Sequence, residues 1–308
     1  MFHAEIEATN FCNTRCLHCP HEVMSRLRGR MSWDTFTAII RNIREHLKGE
    51  RFSLSFSGMG EPLLNPDLPR FIEHVSAGAH TAFACNCALL TGQNVHKLMR
   101  AGLDSLYVSF NGDEVQLFDQ MMGGIPFQRV LSNLRNAVKL AQDSRLEIRA
   151  NVTVTKQTEP RLTLIRRLLR EEGVRTITFS LSHNRGGNLN DSTVCDTPPS
   201  PPDLIHCDVI KNTLFVDWRG KVFICDHDLH GEHGLGDLLA EPLAAVLARR
   251  QRLIDEGLPF KICRECNDVL KGGFHLFENG VGGILTDWIY ALHAEQESPP
   301  FSAATPAQ

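Results

Sequence analysis

Several short segments of this chain alternate apolar and polar residues, a pattern typical of strands that bury one face only. In residues 146–155, five apolar residues alternate with five polar ones, among them Arg149 and Asn151. Residues 52–57 show the same alternation, with three serines on the polar side. The strand-like segments lie near residues 3–9, 51–57, 80–85, 103–111, 146–155 and 174–183.

Helical patterns separate these segments. Residues 32–48 carry apolar residues at helical spacing, with Ser32 as the expected N-cap and Gly49 just past the end. Residues 159–171 repeat this design and end close to Gly173. Strands and helices that alternate in this way predict βα units built around a parallel sheet.

The polar side of these strands is unusual for a parallel sheet. Parallel strands covered by helices on both faces normally form continuous apolar runs. A small and polar face indicates that helices cover one side of the sheet while the other side lines a ligand-sized cavity. A complete eight-unit barrel would instead fill its interior with branched side chains. We therefore predict an α/β protein with a partial (β/α)6 TIM-type barrel, and an open sheet with exposed edges is the alternative.

Composition and charge narrow the class of protein. The chain has 308 residues, is 42% hydrophobic and has a formal net charge of −4. This charge argues against binding to nucleic acid or to an anionic membrane, and no apolar run approaches the roughly 18 residues of a membrane span. The stretch MFHAEIEA resembles a strand rather than a signal peptide. We therefore predict a cytoplasmic protein whose ten cysteines are metal ligands, redox groups or buried thiols rather than disulfides.

Three cysteines follow the first predicted strand in the order C-x3-C-x2-C, at Cys12, Cys16 and Cys19. In a barrel this position lies in a loop at the carboxyl ends of the strands, where barrel enzymes have their active sites. A structural zinc site usually has four protein ligands, so zinc would need His18 or His21 as the fourth. Three thiolates can also hold a [4Fe–4S] cluster and leave one iron free to bind a ligand. The motif alone leaves both readings open.

This motif and two later segments resemble the radical S-adenosylmethionine (SAM) superfamily. SGMGEPLLNPD at 57–67 is similar to the superfamily's Gly-Gly-Glu-Pro segment, and VSFNG at 108–112 is similar to its fourth-strand segment. The resemblance covers residues 1–185 and implies a three-cysteine [4Fe–4S] cluster whose open iron binds SAM. The SAM contacts that it implies are Gly60, Glu61 and Pro62 at the amino group, Ser109 at the cofactor, Arg149 and Asn151 at the carboxylate or ribose, and His18 near adenine.

Four further cysteines lie in the last third of the chain, at Cys207, Cys225, Cys263 and Cys266. A C-x2-C pair with two distant thiolates can close a zinc site or hold a cubane cluster, and spacing alone does not choose between them. The arrangement resembles the twitch module, a shortened SPASM domain. That resemblance implies an auxiliary [4Fe–4S] cluster with all four irons ligated by protein.

These assignments predict the organisation of the whole chain. The expected parts are a radical SAM partial barrel at 1–190, a proline-rich linker at 191–206, an auxiliary-cluster domain at 207–273, and a C-terminal helix with a disordered tail at 274–308. The resemblance also implies a flavodoxin- or ferredoxin-type reductant as a partner, beside a small-molecule substrate.

Within the superfamily, the chain most resembles the deoxy-scyllo-inosamine dehydrogenases of butirosin biosynthesis. The shared features are the cysteine order, a GEPLL segment and an Asn-Arg-Gly-Gly stretch, here within SHNRGGNLND at 182–191. The resemblance implies that Arg185 contacts the substrate hydroxyl that is oxidised. It further implies that a 5′-deoxyadenosyl radical made from SAM removes hydrogen from an alcohol carbon of an aminocyclitol-like or sugar-like molecule, and that the auxiliary cluster accepts the second electron. Arg185 cannot act as the base because its pKa exceeds about 12, whereas His183 is either the proton acceptor or a packed histidine.

Other functions compete with this prediction. A thiol from Cys85, Cys87 or Cys195 could return hydrogen to a substrate radical, which would make the protein an epimerase, although buried thiols are also ordinary core residues. Modification of a ribosomal peptide is common among SPASM relatives. A non-enzymatic iron–sulfur or zinc protein would not explain the GEP segment or the polar strand face.

Overall fold

The computed structural model describes residues 2–189 and 207–268, so the predicted linker at 191–206 and the predicted helix at 274–308 lie outside the described residues. The described strands are β1 (His3–Ile6), β2 (Arg15–Cys16), β3 (Phe52–Phe56), β4 (Ala79–Cys85), β5 (Ser105–Ser109), β6 (Met122–Gly123), β7 (Glu147–Val154), β8 (Thr176–Leu181), β9 (Thr213–Val216), β10 (Lys221–Phe223) and β11 (Gly234–Asp237). The described α-helices are α1 (Trp33–Leu47), α2 (Leu68–Val75), α3 (Gly92–Ala101), α4 (Val115–Met121), α5 (Phe127–Ala141), α6 (Leu162–Glu171), α7 (Asp208–Asn212), α8 (Leu243–Asp255) and α9 (Lys261–Glu265). None of these helices is long and apolar enough to cross a bilayer.

One nine-stranded sheet organises the described chain, in the order β11-β10-β9-β1-β3-β4-β5-β7-β8. The six strands β1, β3, β4, β5, β7 and β8 pair in parallel. Within the described residues β8 ends the sheet and β1 pairs with β9 on its other side, so β1 and β8 do not close a full barrel. The predicted partial (β/α)6 barrel is confirmed.

Side-chain alternation gives this sheet a buried outer face and a polar inner face. On the outer face, Phe56 of β3 lies 5.9 Å from the ring of Phe36 on α1 and 6.3 Å from that of Phe71 on α2. In β7 every second residue is buried, whereas Arg149 and Asn151 on the other side are only partly buried. The inner face is therefore available to a polar site, as the sequence pattern predicts.

Helix α1 begins at the N-cap that the sequence predicts. The hydroxyl of Ser32 accepts a hydrogen bond from the backbone N–H of Thr35 at 3.1 Å, which satisfies one of the free donors of the first turn. The isoleucines of the apolar face are fully buried against the sheet. The helix ends one residue before the predicted position because Lys48, with a φ of 51°, already adopts the left-handed conformation ahead of Gly49.

The second cysteine region extends the same sheet. β9 pairs in parallel with β1, and β10 and β11 follow as antiparallel strands. The sequence analysis did not predict these strands, because β9 to β11 have only three or four residues each. The auxiliary domain is thus continuous with the first strand of the barrel rather than tethered at a distance.

A buried arginine holds the two parts together. Arg26 donates to both carboxylate oxygens of Glu7, at 2.8 and 2.9 Å, and lies 3.9 Å from a carboxylate oxygen of Asp217. Its guanidinium also lies 5.7 and 5.6 Å from the ring centroids of Phe215 and Phe223. These contacts connect the end of β1, the cysteine loop and the β9–β10 hairpin.

Candidate active site

The first three cysteines lie in a loop that follows β1 and is fixed by its own hydrogen bonds. The Thr14 hydroxyl lies 3.1 Å from the sulfur of Cys12 and 3.5 Å from that of Cys16, and the Cys19 N–H donates to the Cys16 carbonyl oxygen at 3.1 Å. Burial raises the pKa of the Cys16 thiol to about 12. Such a thiol keeps its proton unless a metal replaces it. The structure therefore gathers the three predicted ligands at one end of the sheet.

The GEP segment lies directly against this loop. The Glu61 N–H donates to the carbonyl oxygen of Phe11 at 2.8 Å, and a Cβ at Gly60 would collide with the Thr9 carbonyl. The Glu61 carboxylate accepts from the N–H groups of Asn86, at 2.8 Å, and Leu63, at 3.1 Å, and burial raises its pKa to about 7. Each carboxylate oxygen has two lone pairs, so capacity for a ligand ammonium remains. The predicted contact of Gly60, Glu61 and Pro62 with SAM stays a prediction.

Two buried polar atoms close to the predicted SAM site, His18 Nδ1 and Asn111 Nδ2, have no hydrogen-bond partner among the described residues. Asn111 uses its Oδ1 to accept from the Thr153 N–H at 2.6 Å, which leaves the Nδ2 donor unused. Burial lowers the pKa of His18 to about 4, so its ring is neutral. Leaving such a group unsatisfied costs about 1–3 kcal/mol. A polar ligand that reaches both atoms would remove this cost, and Asn111 is a residue that the sequence analysis missed although it lies within VSFNG.

The inner-face residues predicted to contact SAM divide into two groups. Ser109 pairs in register with Asn151, whose Oδ1 accepts from the Ser180 hydroxyl at 2.8 Å. Arg149, by contrast, donates to the Tyr107 hydroxyl at 3.1 Å and to Glu147 at 2.5 Å. It lies near the amino end of β7, whereas the cysteine loop follows the carboxyl end of β1. The Glu147 carboxylate thus already engages the Arg149 charge, and the predicted role of Arg149 at the SAM carboxylate or ribose stays a prediction.

The second cysteine set also converges. Cys207 precedes α7, Cys225 follows β10, and Cys263 and Cys266 lie in and just after α9. Burial raises the pKa values of Cys207 and Cys225, and the neighbouring thiols of the set raise them further. The four thiols thus lie near one another, as expected for one shared site.

The spacing of the thiols favours an iron–sulfur cluster over zinc. No three of the cysteine sulfurs in the described part of the chain lie within 4.8 Å of one another. Thiolates that share one zinc at about 2.3 Å would be only about 3.8 Å apart. His21, a possible fourth zinc ligand, is occupied by the Asn10 carbonyl oxygen, 2.9 Å from its Nε2. Three thiols suit a cubane with one open iron and four thiols suit a fully ligated one, so both cysteine sets fit a cubane cluster.

The Asn-Arg-Gly-Gly stretch forms a tight turn that docks on the auxiliary domain. Arg185 has a φ of 50°, a left-handed conformation that is uncommon outside glycine. Asn184 holds the turn through bonds to the Asn267 side chain at 2.6 Å and the Glu265 carbonyl at 2.7 Å. The Arg185 guanidinium reaches Asp226 at 3.1 Å. A strained arginine that is fixed on both sides is typical of a functional site.

Arg185 belongs to a set of six residues that we call the polar cluster, Glu5, His183, Arg185, Asp226, His227 and Asp268. The rings of His183 and His227 lie 4.7 Å apart, and their Nε2 atoms lie 3.7 and 3.6 Å from one Asp268 oxygen. Burial and the Arg185 charge hold the pKa of His183 far below its ordinary value, so the ring is neutral. His183 packs against the ring of His227 within the cluster, and its predicted role as proton acceptor stays a prediction.

The sequence analysis missed four members of the polar cluster, Glu5, Asp226, His227 and Asp268. One sequence signal was available. In CDHD at 225–228, Asp226 and His227 directly follow the auxiliary cysteine Cys225. The cluster lies between the two cysteine sets. Burial raises the pKa of Cys19 and the Arg185 charge opposes that rise, while Asp226, the partner of Arg185, is the neighbour of Cys225.

The thiols of Cys85 and Cys87 are buried at the carboxyl end of β4, where the charge of Glu61 reaches both of them. Cys85 ends β4 on the same side as Phe83, which is the outer face. The sulfur of Cys87 lies 3.7 Å from the carbonyl oxygen of Val130 on α5, and the residue is fully buried with a φ of 65°. The prediction that Cys87 acts as a hydrogen donor is not supported by this geometry, because its sulfur packs against a helix. Cys195 lies outside the described residues.

Comparison with known proteins identifies the family. The Radical SAM superfamily pattern matches residues 6–159, half of the chain. The chain belongs to the radical SAM superfamily. A second pattern, the SPASM iron–sulfur cluster-binding domain, matches residues 207–267 and so includes all four auxiliary cysteines.

Curated relatives are similar to this radical SAM protein over part of their own length. It is 27% identical to an AdoMet-dependent heme synthase of Oleidesulfovibrio alaskensis over 50% of this chain, and 28% identical to that of Methanosarcina barkeri over 62%. These matches span 38% and 54% of the two relatives. They support membership of the superfamily, and they do not define the reaction of this chain.

Solved structures share the fold along most of the chain. BtrN in complex with AdoMet and 2-DOIA has a TM-score of 0.57 at 18% identity and covers 87% of this chain and 94% of its own. The enzyme anSMEcpe with bound AdoMet and Cp18Cys peptide has a TM-score of 0.65 at 14% identity, covering 96% of this chain and 97% of its own. At these identities the likeness establishes the architecture only.

The family implies a SAM-binding [4Fe–4S] cluster, SAM itself and auxiliary iron–sulfur chemistry, and the residues fit these groups. Cys12, Cys16 and Cys19 would hold the first cluster. The four auxiliary cysteines, Cys207, Cys225, Cys263 and Cys266, supply the full ligand set of one further cubane. The number of thiols in each set and the unpartnered atoms of His18 and Asn111 are the structural features that carry this fit.

Proposed function

We propose that this radical SAM protein removes two electrons from an alcohol carbon of a small polar molecule, aminocyclitol-like or sugar-like. The observation that carries the proposal is the position of the Arg185–Asp226 pair, 3.1 Å apart, between the two cysteine sets. When bound, SAM and its cluster supply a hydrogen-abstracting radical, and the auxiliary cluster supplies an electron acceptor. A hydroxyl group bound at this pair would be close to both sources of chemistry.

Arg185 would hold and polarise the substrate hydroxyl. Its guanidinium offers five N–H donors and engages Asp226 through Nη1, which leaves donors for an oxygen ligand. Fixed donors directed at an oxygen that gains negative charge stabilise that charge most when water is excluded. The contact with Asp226 orients the Arg185 guanidinium before substrate arrives.

Asp226 is the group that best fits proton acceptance. Burial alone would raise its pKa, but the charges of His227 and Arg185 hold the pKa of Asp226 below its ordinary value. The carboxylate is therefore ionised at neutral pH and adjoins the atom that would bind the hydroxyl. Arg185 cannot accept a proton, and His183 packs against the His227 ring.

The geometry of the thiols argues against the epimerase alternative. An epimerase of this kind needs a hydrogen donor on the substrate side, but Cys85 and Cys87 point to the helix layer. Both thiols are at least 97% buried, with exposures of 3% and 0%. Removal of either thiol should therefore leave the substrate reaction intact.

Modification of a peptide side chain is the second candidate. Its support is the higher structural similarity to anSMEcpe, whose structure contains a bound peptide, than to BtrN, with TM-scores of 0.65 and 0.57. Arg185 and Asp226 would serve an alcohol of a serine side chain as well as that of a cyclitol. Substrate screening separates the two candidates.

The test uses protein reconstituted without oxygen, which should contain about eight irons per chain for two cubanes. With SAM and reductant, a panel of polyols, aminocyclitols and serine-containing peptides is screened for a product lighter by two mass units. We expect one 5′-deoxyadenosine per oxidised product and no deuterium at carbon in deuterated water. In a Cys263→Ala/Cys266→Ala variant, SAM cleavage should persist while the oxidised product is lost. Deuterium incorporation without oxidation, or full product formation in that variant, would contradict the proposal.

A further inference from the structure

An apolar surface borders the first cysteine loop. Among the described residues, five large hydrophobic side chains are exposed, and three of them lie in this one loop. They are Phe11 at 36%, Val23 at 56% and Leu27 at 68% exposure. Phe11 is the chain neighbour of Cys12, so this surface adjoins a ligand of the first cluster. Exposed apolar residues grouped in this way indicate an interaction site more often than scattered ones do.

Hydrogen bonds fix the two ends of this loop against each other. The segment after the cysteines returns alongside the segment before them, through bonds from Asn10 to the carbonyl oxygens of Gly29, at 3.2 Å, and Leu27, at 2.8 Å. The Trp218 indole donates to the same Leu27 carbonyl at 3.1 Å, and its ring covers Gly29, where a Cβ would collide with it. The loop that carries this surface is therefore joined to the auxiliary domain through Trp218.

Three exposed arginines lie in the same segment as these apolar residues. Arg15, Arg28 and Arg30 are exposed and make no salt bridge within the part of the chain that the structure describes. The Arg30 guanidinium lies 5.3 Å from the ring centroid of Phe11. Glu22 is the exposed acid in residues 11–30, so three cations face one anion. The chain as a whole has a net charge of −4, which makes this local excess stand out.

We propose that this surface, formed by Phe11, Val23 and Leu27 with Arg15, Arg28 and Arg30, docks an acidic one-electron donor protein. The first cluster needs an electron from outside the chain, and a donor protein must approach the cysteine loop to deliver it. An acidic donor is repelled by the net charge of this protein and attracted by the arginines beside Cys12, so it is steered to the correct face. The exposed apolar side chains then supply short-range contact. The inference rests on family membership and holds whatever the substrate is.

The experiment follows reduction of the reconstituted first cluster by reduced flavodoxin as the probe, in wild type and in Arg15→Glu/Arg30→Glu. In the described structure neither guanidinium makes a hydrogen bond, so the fold should survive. We expect reduction by flavodoxin to slow by about tenfold or more at low ionic strength, with most of the difference lost at high salt. Flavodoxin affinity, measured separately, should weaken in parallel. Reduction by dithionite, which needs no docking surface, should be unchanged.

Two further variants keep the result interpretable. Arg100→Glu/Arg129→Glu makes the same change in net charge on exposed positions of α3 and α5, and it should reduce at the wild-type rate. Leu27→Asp alters the surface without touching an arginine and should slow flavodoxin alone. Equal slowing in the two double variants, equal slowing with dithionite, or a loss of substrate binding with normal reduction would overturn the proposal.

Discussion

Arg185 and Asp226 form a 3.1 Å salt bridge that joins the turn after the last barrel strand to the residue after an auxiliary cysteine. The two residues are far apart in the chain. Arg185 lies in the turn that follows β8, and Asp226 directly follows the auxiliary ligand Cys225. The bridge therefore makes one site from two domains. It also explains why the Asn-Arg-Gly-Gly turn accepts a left-handed arginine, since Asn184 and the two glycines pack against the auxiliary domain on the other side.

Arg185→Lys should separate catalysis from cluster assembly. Lysine keeps the charge but loses the planar fork, so it cannot hold Asp226 and a substrate oxygen together. We expect turnover to fall by about 10²-fold, as when one preorganised donor is removed, while iron content and SAM binding remain normal. Arg175→Lys, at an exposed position just before the amino end of β8, is the matched control. Unchanged turnover in Arg185→Lys would remove this residue from the substrate site.

Cys85→Ala and Cys87→Ala should keep the wild-type reaction. Their sulfurs face the helices, so the expected effect is a loss of about 1 kcal/mol of stability from reduced packing rather than a loss of turnover. The measurement is product formation per 5′-deoxyadenosine, together with deuterium incorporation from deuterated water. If either variant stops the reaction, a thiol donates hydrogen after all and the epimerase prediction returns.

Arg26→Met should destabilise the junction between the barrel and the auxiliary domain. The change leaves the Glu7 carboxylate buried without a charge partner, which typically costs about 3–5 kcal/mol. The measurement is the urea midpoint of unfolding under anaerobic conditions. Arg26→Met/Glu7→Gln should recover part of the loss, because the unpaired charge is gone. Arg135→Met, which breaks the ion pair of an exposed arginine with Glu172, should lower the midpoint much less than Arg26→Met does.

Glu5 predicts a pH dependence of stability. Burial and the Asp226 carboxylate raise its pKa from 4.5 to about 8 in the folded protein. Between these values the unfolded chain releases the proton while the folded chain retains it, so stability falls as pH rises from about 4.5 to 8. Glu5→Gln should lose this pH dependence of stability. Its free energy of unfolding relative to wild type should rise with pH, by at most about 1.4 kcal/mol per unit.

Glu45→Gln on the exposed face of α1 is the control for that experiment, and it should show no change of slope. Equal slopes for wild type and Glu5→Gln would mean that Glu5 is already ionised in the folded protein. The polar cluster would then carry one more negative charge than proposed.

Local patterns were sufficient for the barrel strands and for the main helices. The alternation in residues 146–155 predicts which residues of β7 are buried, and Ser32 predicts the start of α1. Both signals depend only on the period of the element and on the first few N–H groups of a helix. The short strands β9 to β11 have too few residues to show a period, and they form because β1 offers a free edge.

Charged residues on the inner face were harder to assign than the cysteines. Arg149 and Arg185 both looked suited to a ligand, yet Arg149 is neutralised by Glu147 on its own strand and Arg185 by Asp226 from another domain. The direction of the Cys87 side chain could not be predicted either. Cys87 itself adopts a left-handed backbone conformation, and its sulfur lies against the Val130 carbonyl oxygen on α5.

The sequence by itself determined the parallel α/β architecture, the two cysteine sets and the superfamily, because these follow from the period of side chains and from the spacing of ligands along the chain. Only the tertiary structure decided which polar groups meet between the two sets. Partners such as Glu5, Arg185 and Asp226 are brought together by sheet register and domain docking. Those long-range contacts leave no periodic trace in the chain.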